Sequence, residues 1–239
     1  MMNTIIDPHF LGEMFLQLIR YIPVTLGLAA SSMLLASILG IMVMVIRIKR
    51  IPVLSRLADL YVLLGRALPT MIVLYIVFFG LPVALMLLSE TTGRKIEFNQ
   101  IPAMTFAVIG LTISTGAYLS EIFRAAVQSV DKGQMEAALS VGMTWWQGFC
   151  RILLRQAAVF ALPLMANQFL NLLKNTSIAF MITVMELFGA ATVLSASTNR
   201  YLEIYIVVSL IYWGMSIIFE KIFLVVEDKV AFFKRGIQP

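Results

Sequence analysis

Residues 131–149 read DKGQMEAALSVGMTWWQGF, a mostly apolar stretch between two segments that have the composition of membrane spans. An apolar helix left facing water invites aggregation, so another surface has to cover it. Asp131 is placed to cap a helix, with Gln134 three residues on in the position that completes a capping box. Ala137, Ala138, Val141 and Trp145 then recur at helical spacing and form one apolar face. The alanines on that face permit close approach by another backbone. Gly142 has no Cβ and suits a tight bend between two short helices. Taken from the residues alone, two readings stand. One is a helix lying at the membrane interface, anchored by Trp145 and Trp146. The other is a knob docked into a groove of a soluble partner.

The rest of the chain supports the membrane setting. Of its 239 residues 60% are hydrophobic and 13% charged, with a mean hydropathy of +0.92. Soluble domains run nearer about 45–50% apolar and about 25% charged. One Cys and one His exclude an intrachain disulfide through Cys150 and offer no ordinary Cys/His metal site. The formal charge is +5, but in a membrane protein the placement of basic residues carries more information than their sum. The start, MMNTIIDPHF, lacks the basic region and early apolar run of a cleaved signal. The first apolar segment is therefore expected to remain as a span.

A helix needs about 20 apolar residues to cross a hydrocarbon core of roughly 30 Å. Charge-free windows at 21–46, 67–89, 98–120 and 156–173 meet that requirement. The shorter window at 204–219 is lengthened by Tyr201, Tyr205, Tyr212 and Trp213 as interfacial anchors. Residues 175–199, broken by Glu186, Gly189 and Asn199, read as an interfacial or re-entrant piece and not as a sixth span. The expected fold class is all-α integral membrane, with about five transmembrane helices. Basic residues collect in RIKRIPVLSR, between spans three and four, and in the tail. By the positive-inside rule those regions are cytoplasmic, the N-terminus is outside and the C-terminus inside. This divides the chain into an extracytoplasmic segment at 1–20, a five-span domain at 21–228 and a cytoplasmic tail at 229–239. The apolar stretch at 131–149 falls on the cytoplasmic side. No linker or convincing internal repeat interrupts the chain, which argues against a repeated secondary carrier.

Glu136-Ala137-Ala138, then Gly142, then Ile152 and Leu154, reproduce the spacing of the EAA motif of ATP-binding-cassette importer permeases. GAYLSEIFRAAVQSVDKGQMEAALSVGM (116–143) resembles the polar amino-acid permease subfamily at nearly every position. LYVLLGRALPTMIVLYIVFFGLP is similar to that subfamily's second span, and NQFLNLLKNTSIA to the end of its fourth. The resemblance covers most of residues 24–190. It implies type I importer permease architecture, with a coupling helix at about 133–149 seated in a cleft of an ATPase subunit. Glu136, Ala137, Ala138 and Gly142 are then the coupling positions. Two departures stand out. Arg155 occupies a usual Pro position, which leaves the bend entering span four unexplained unless Pro163 supplies it. Ala67 and Leu68 stand where Gly and Thr are frequent.

No G-x-x-x-x-G-K-[ST] loop is present. The resemblance therefore implies a transport subunit without enzymatic activity or bound cofactor, with ATP and Mg²⁺ held by a separate ATPase dimer. It also implies a second permease, identical or homologous, and an extracytoplasmic solute-binding protein. No nucleic-acid partner is expected. The cargo implied is a polar amino acid, cystine included, moved across a bacterial cytoplasmic membrane by alternating access. The competing class is a self-sufficient secondary carrier or channel.

Ionisable residues within spans are costly and point to function or to a buried partner. Arg66, read as lying inside span two, and Glu121, near the cytoplasmic end of span three, either pair with each other, contact a passing amino acid, or snorkel to the interface. Asn167 and Gln168 lie mid-span, as helix–helix hydrogen bonders or as substrate contacts. Lys174, Asn175 and Thr176 form either a solvated helix end or a polar lip of the pathway. The resemblance places Glu186 in a short gating helix. Thr25, Ser31, Ser32, Ser37, Gly27 and Gly40 read as small packing residues, and the methionines as packing or lipid-facing filler.

Overall fold

A computed structural model describes residues 7–93 and 101–235, with side chains to Val230. These residues form helices joined by short turns. Five helical stretches are long and apolar enough to cross a bilayer, namely Pro8–Ile48, Thr70–Thr92, Ala103–Gln128, Trp145–Ile182 and Tyr201–Val230. They match the five expected spans, although Phe98, where the third was expected to begin, lies outside the described residues.

The first stretch holds α1 (Pro8–Leu18) and α2 (Ile22–Ile48), joined by a 3-10 turn at Ile19–Tyr21. Asp7 caps α1 by accepting the His9 N–H at 3.0 Å, and Pro8 sits where a missing donor costs nothing. After α2 comes α3 (Leu54–Ala67), a separate amphipathic helix where a basic loop was expected. Pro69 explains why α3 and the next helix are distinct: it holds Leu68 extended at φ −82°, ψ 139°. Helix α4 (Thr70–Thr92) follows, and α5 (Ala103–Gln128) runs through the centre of the molecule. Arg66 is therefore in the last turn of α3, outside the second span, which corrects its expected position.

Helix α5 is the most buried of the spans. It packs against α2, α3, α4 and α8, and small residues set how closely. A Cβ on Gly65 of α3 would lie 2.6 Å from the Ala117 Cβ of α5, so only Gly fits that crossing. Gly40 of α2 plays the same part against Leu119 and Ser120, whereas Gly27 faces open space. The Tyr61 hydroxyl of α3 donates to the Ile113 carbonyl of α5 at 2.7 Å. Burial pushes that phenol up, so it stays a donor.

Beyond α5 lie α6 (Lys132–Ser140) and α7 (Trp145–Gly148), then a π-helical turn at Phe149–Leu153 that leads into α8 (Leu154–Asn175). The wide π turn supplies the irregularity entering the fourth span where Arg155 replaces the family's Pro. Helix α8 continues through Pro163. A 3-10 turn (Thr176–Ile182), the short α9 (Leu187–Thr198) and α10 (Tyr201–Arg235) complete the chain. Helix α9 has 12 residues, too few to cross at 1.5 Å per residue. Helix α10 runs unbroken past residue 229 to Arg235.

Apolar burial divides between the two ends of the bundle. Leu18, Leu187, Ala191 and Ile204 knit α1, α9 and α10 together. Leu28, Leu74, Leu111 and Ile182 join α2, α4 and α5 to the 3-10 turn. Ala126, Val130, Ala157 and Ala161 lock the last turns of α5 to the first turns of α8.

Candidate functional site

The projection between the third and fourth spans is two short helices set at a turn. The Asp131 carboxylate accepts the Gly133 N–H at 2.6 Å and caps α6. Gln134 does not complete a capping box there; its side chain accepts from the Gln156 amide at 3.2 Å. The box forms at α7 instead, with Thr144 accepting the Gln147 N–H at 3.3 Å and Gln147 accepting the Thr144 N–H at 2.9 Å. Gly142 lies between the two helices at φ +83°, the left-handed region that a bend of this kind demands.

This hairpin presents an apolar outer surface and a sealed inner one. Val141, Trp145 and Trp146 are 76%, 58% and 65% exposed. Phe149 stacks under both Trp rings, at 5.2 and 5.6 Å. Glu136, Ala137 and Gly142 are exposed. Ala138 is 2% exposed and sits against Gly148, where a Cβ would come within 3.3 Å of its own. Ala138 therefore packs inside the hairpin, which corrects its assignment to the docking face. A helix of this length cannot show every residue of its motif to one partner.

A cleft of about 1210 Å³ opens beside the hairpin, walled by the α2–α3 turn, the end of α5, and α6. Arg47, Arg50, Arg56, Arg124 and Lys132 line it, with Asp59, Asp131 and Glu136 as the acids. Val53, in the same turn, holds φ +66°, unusual for a β-branched residue.

Glu121 does not pair with Arg66. Its Oε1 accepts from Arg47 Nη1 at 2.5 Å, and its Oε2 accepts from Arg124 Nη2 at 2.7 Å. The Arg66 guanidinium lies 6.0 Å from the Tyr118 ring centre, and the Tyr118 hydroxyl donates to the Arg66 carbonyl at 3.3 Å. In the sequence Arg47 is only one of a run of loop cations, so nothing local marks it as the partner of Glu121.

On α8, Asn167 and Lys174 are exposed and Gln168 is half-buried. Asn171, which sequence reasoning missed, is exposed between Asn167 and Lys174 at i+4 and i+7. Together Asn167, Asn171 and Lys174 form one exposed polar stripe along the second half of the span. Asn175 is half-buried. Thr176 is fully buried, its hydroxyl donating to the Leu173 carbonyl at 2.8 Å. Thr176 therefore belongs to the interior and not to an open lip.

Glu186 is fully buried and caps α9. Its Oε1 accepts the Gly189 N–H at 2.8 Å and its Oε2 the Tyr212 hydroxyl of α10 at 2.9 Å. Thr25 of α2 stands 3.4 Å from the same oxygen and accepts the Leu187 N–H at 3.1 Å. One carboxylate thus gathers α2, α9 and α10. Thr25, read as packing, is part of this polar junction.

A polytopic helical protein with an exposed, rigidly built hairpin between its third and fourth spans has the form of a membrane transport component. The profile of the "binding-protein-dependent transport system inner membrane component" family matches residues 33–232, and the chain belongs to that family. It is 42% identical to a probable amino-acid permease, YxeN, of Bacillus subtilis (strain 168), over 91% of this chain and 92% of that one. It is 38% identical to the L-cystine transport system permease TcyL of the same organism, over 96% and 93%. Among solved structures it is similar to an amino acid ABC transporter crystallised with histidines, at a TM-score of 0.72 and 29% identity, over 90% and 98% of the two chains. The MetNI methionine ABC transporter, 16% identical at a TM-score of 0.63, shares the fold.

Proposed function

We propose that this chain is the membrane-spanning permease of an ATP-driven importer that carries a polar amino acid, with cystine among the cargoes its relatives suggest. The observation that carries the reading is the α6–α7 hairpin. Its apolar outer face is uncovered by the other described residues, while its inner face is packed and its turn is fixed by Gly142. A seat for a soluble motor has to be of this kind: stiff, protruding and apolar. ATP and Mg²⁺ belong to an ATPase dimer seated there, whose closure moves the hairpin and with it the span bundle.

In this arrangement the hairpin, the basic α2–α3 turn and the end of α10 face the cytoplasm, and α1 and α9 lie toward the outside. The α8 stripe of Asn167, Asn171 and Lys174 supports pairing with a second permease. Polar side chains facing lipid at that depth are expensive, whereas a facing permease encloses them in a wet path between the two copies. Gln168 and Asn175 border that path. Arg66, exposed at the end of α3, stands at its inner approach. A solute-binding protein delivers cargo at the outer face.

Reconstitution into liposomes tests the proposal. The permease alone is expected to give no uptake, and the permease with its ATPase and binding protein to give ATP-dependent uptake. Uptake by the permease alone, driven by an ion gradient, would instead make it a secondary carrier.

A further inference from the structure

We infer that Glu121 is a positioning residue, the keystone of an ion network that makes α2, α3 and α5 move as one body with the α6–α7 hairpin; this rests on the proposed coupling role of that hairpin. Arg47, in the last turn of α2, donates from Nη1 to Glu121 on α5 and from Nε to Asp59 on α3 at 2.6 Å. Arg124, one turn along α5, grips the other Glu121 oxygen through both Nη2, at 2.7 Å, and Nε, at 3.1 Å. Two cations and two anions close the network without net charge. Its centre is shielded, with Arg47 and Glu121 side chains 16% and 19% exposed, while Asp59 at 57% is the outer member. An Arg that bridges two carboxylates at fixed angles orients both partners as well as attracting them.

The network's position gives it a task. Only Ser129, Val130 and Asp131 separate α5 from α6, and Val130 is anchored among Ala126, Ala157 and Ala161. The hairpin is thus rigidly fixed to α5. The close crossings of α5 with α2 at Gly40 and with α3 at Gly65 set the helix separation, but leave small sliding of the helix ends along one another to be resisted by other bonds. The Arg47–Glu121 and Arg47–Asp59 bonds oppose that sliding. Arg47, Asp59 and Arg124 also wall the cleft that Glu136 lines, so hairpin and network border the same space. Without Glu121, hairpin motion is absorbed as slip between helices, and ATP is consumed without import.

The test measures uptake and ATP hydrolysis in the same liposomes, with the complete importer assembled, and compares molecules imported per ATP. For Glu121→Gln the ratio is expected to fall about tenfold, within the range of coupling free energies between linked sites. Arg47→Gln on top of Glu121→Gln is expected to cost less than Arg47→Gln alone, because the Arg47–Glu121 bond is already gone and only the Arg47–Asp59 bond remains to be lost. A purely structural role would lower the amount of assembled importer and leave the ratio intact. An unchanged ratio in assembled Glu121→Gln importer overturns the inference. If that variant fails to assemble, Arg47→Lys decides: Lys keeps the charge but cannot bridge Glu121 and Asp59 in the same geometry. An unchanged ratio there overturns the inference, and a lowered one supports it. If instead the coupling role of the hairpin is wrong, the ATPase will not seat on the wild-type hairpin at all. That outcome is distinct from a seated ATPase with normal coupling in the Glu121 and Arg47 variants.

Discussion

Gly142 holds φ at +83° with no other atom within 4 Å of where a Cβ would stand. A larger side chain at this position therefore meets the backbone and whatever docks on the hairpin, but nothing inside the chain. For an L-residue the left-handed region costs roughly 1–2 kcal/mol, and a β-branched residue tolerates it poorly. Gly142→Val is expected to abolish uptake while the protein reaches the membrane in normal amount, and Glu136→Lys, on the exposed face of α6, to do the same. Uptake assays beside immunoblots of membrane fractions check this, and normal uptake by both variants would contradict it. The bend was legible in the sequence because a Gly between two capped apolar segments has few other uses. The inward turn of Ala138 was not, since Ala137 and Ala138 look alike until Gly148 is seen beneath one of them.

Helix α9 is held at its start by the Glu186 carboxylate together with the Thr25 hydroxyl. If Glu186 is truncated, the Gly189 N–H and the Tyr212 hydroxyl lose their acceptor in a buried setting, where each unpaired group costs about 1–3 kcal/mol. Glu186→Ala is expected to lower the thermal stability of the detergent-purified permease by several degrees, and Glu186→Gln, which keeps a carbonyl oxygen for the cap, by less. Equal melting of Glu186→Ala and wild type would rule out the junction as a stabilising element. Nothing local in the sequence pointed to it, since Thr25 lies 161 positions away from Glu186. The five spans were legible because charge-free windows of that length have no other stable home. Helix α3 was not, because its basic start and the apolar run into Leu68 resemble a loop leading into a span. Pro69 is what makes two helices of them.

For the molecule as a whole, sequence and structure converge on a subunit that is incomplete alone. Among the described residues its hairpin has an uncovered apolar face, its fourth span carries an exposed polar stripe, and its ionic network faces the cleft beside the hairpin. Each of these features is awkward in an isolated chain and useful in an assembly. The residues proposed for the pathway were the least legible part, because on the proposed reading the path lies between two permeases and is spelled out in neither sequence singly. The most direct measurement replaces Val141, at the tip of the hairpin, with the photo-crosslinking residue benzoyl-phenylalanine. Membranes containing the permease and its ATPase are then irradiated. An adduct with the mass of permease plus ATPase subunit is the predicted product. Adducts to lipid or to the binding protein, with none to the ATPase, would contradict the account.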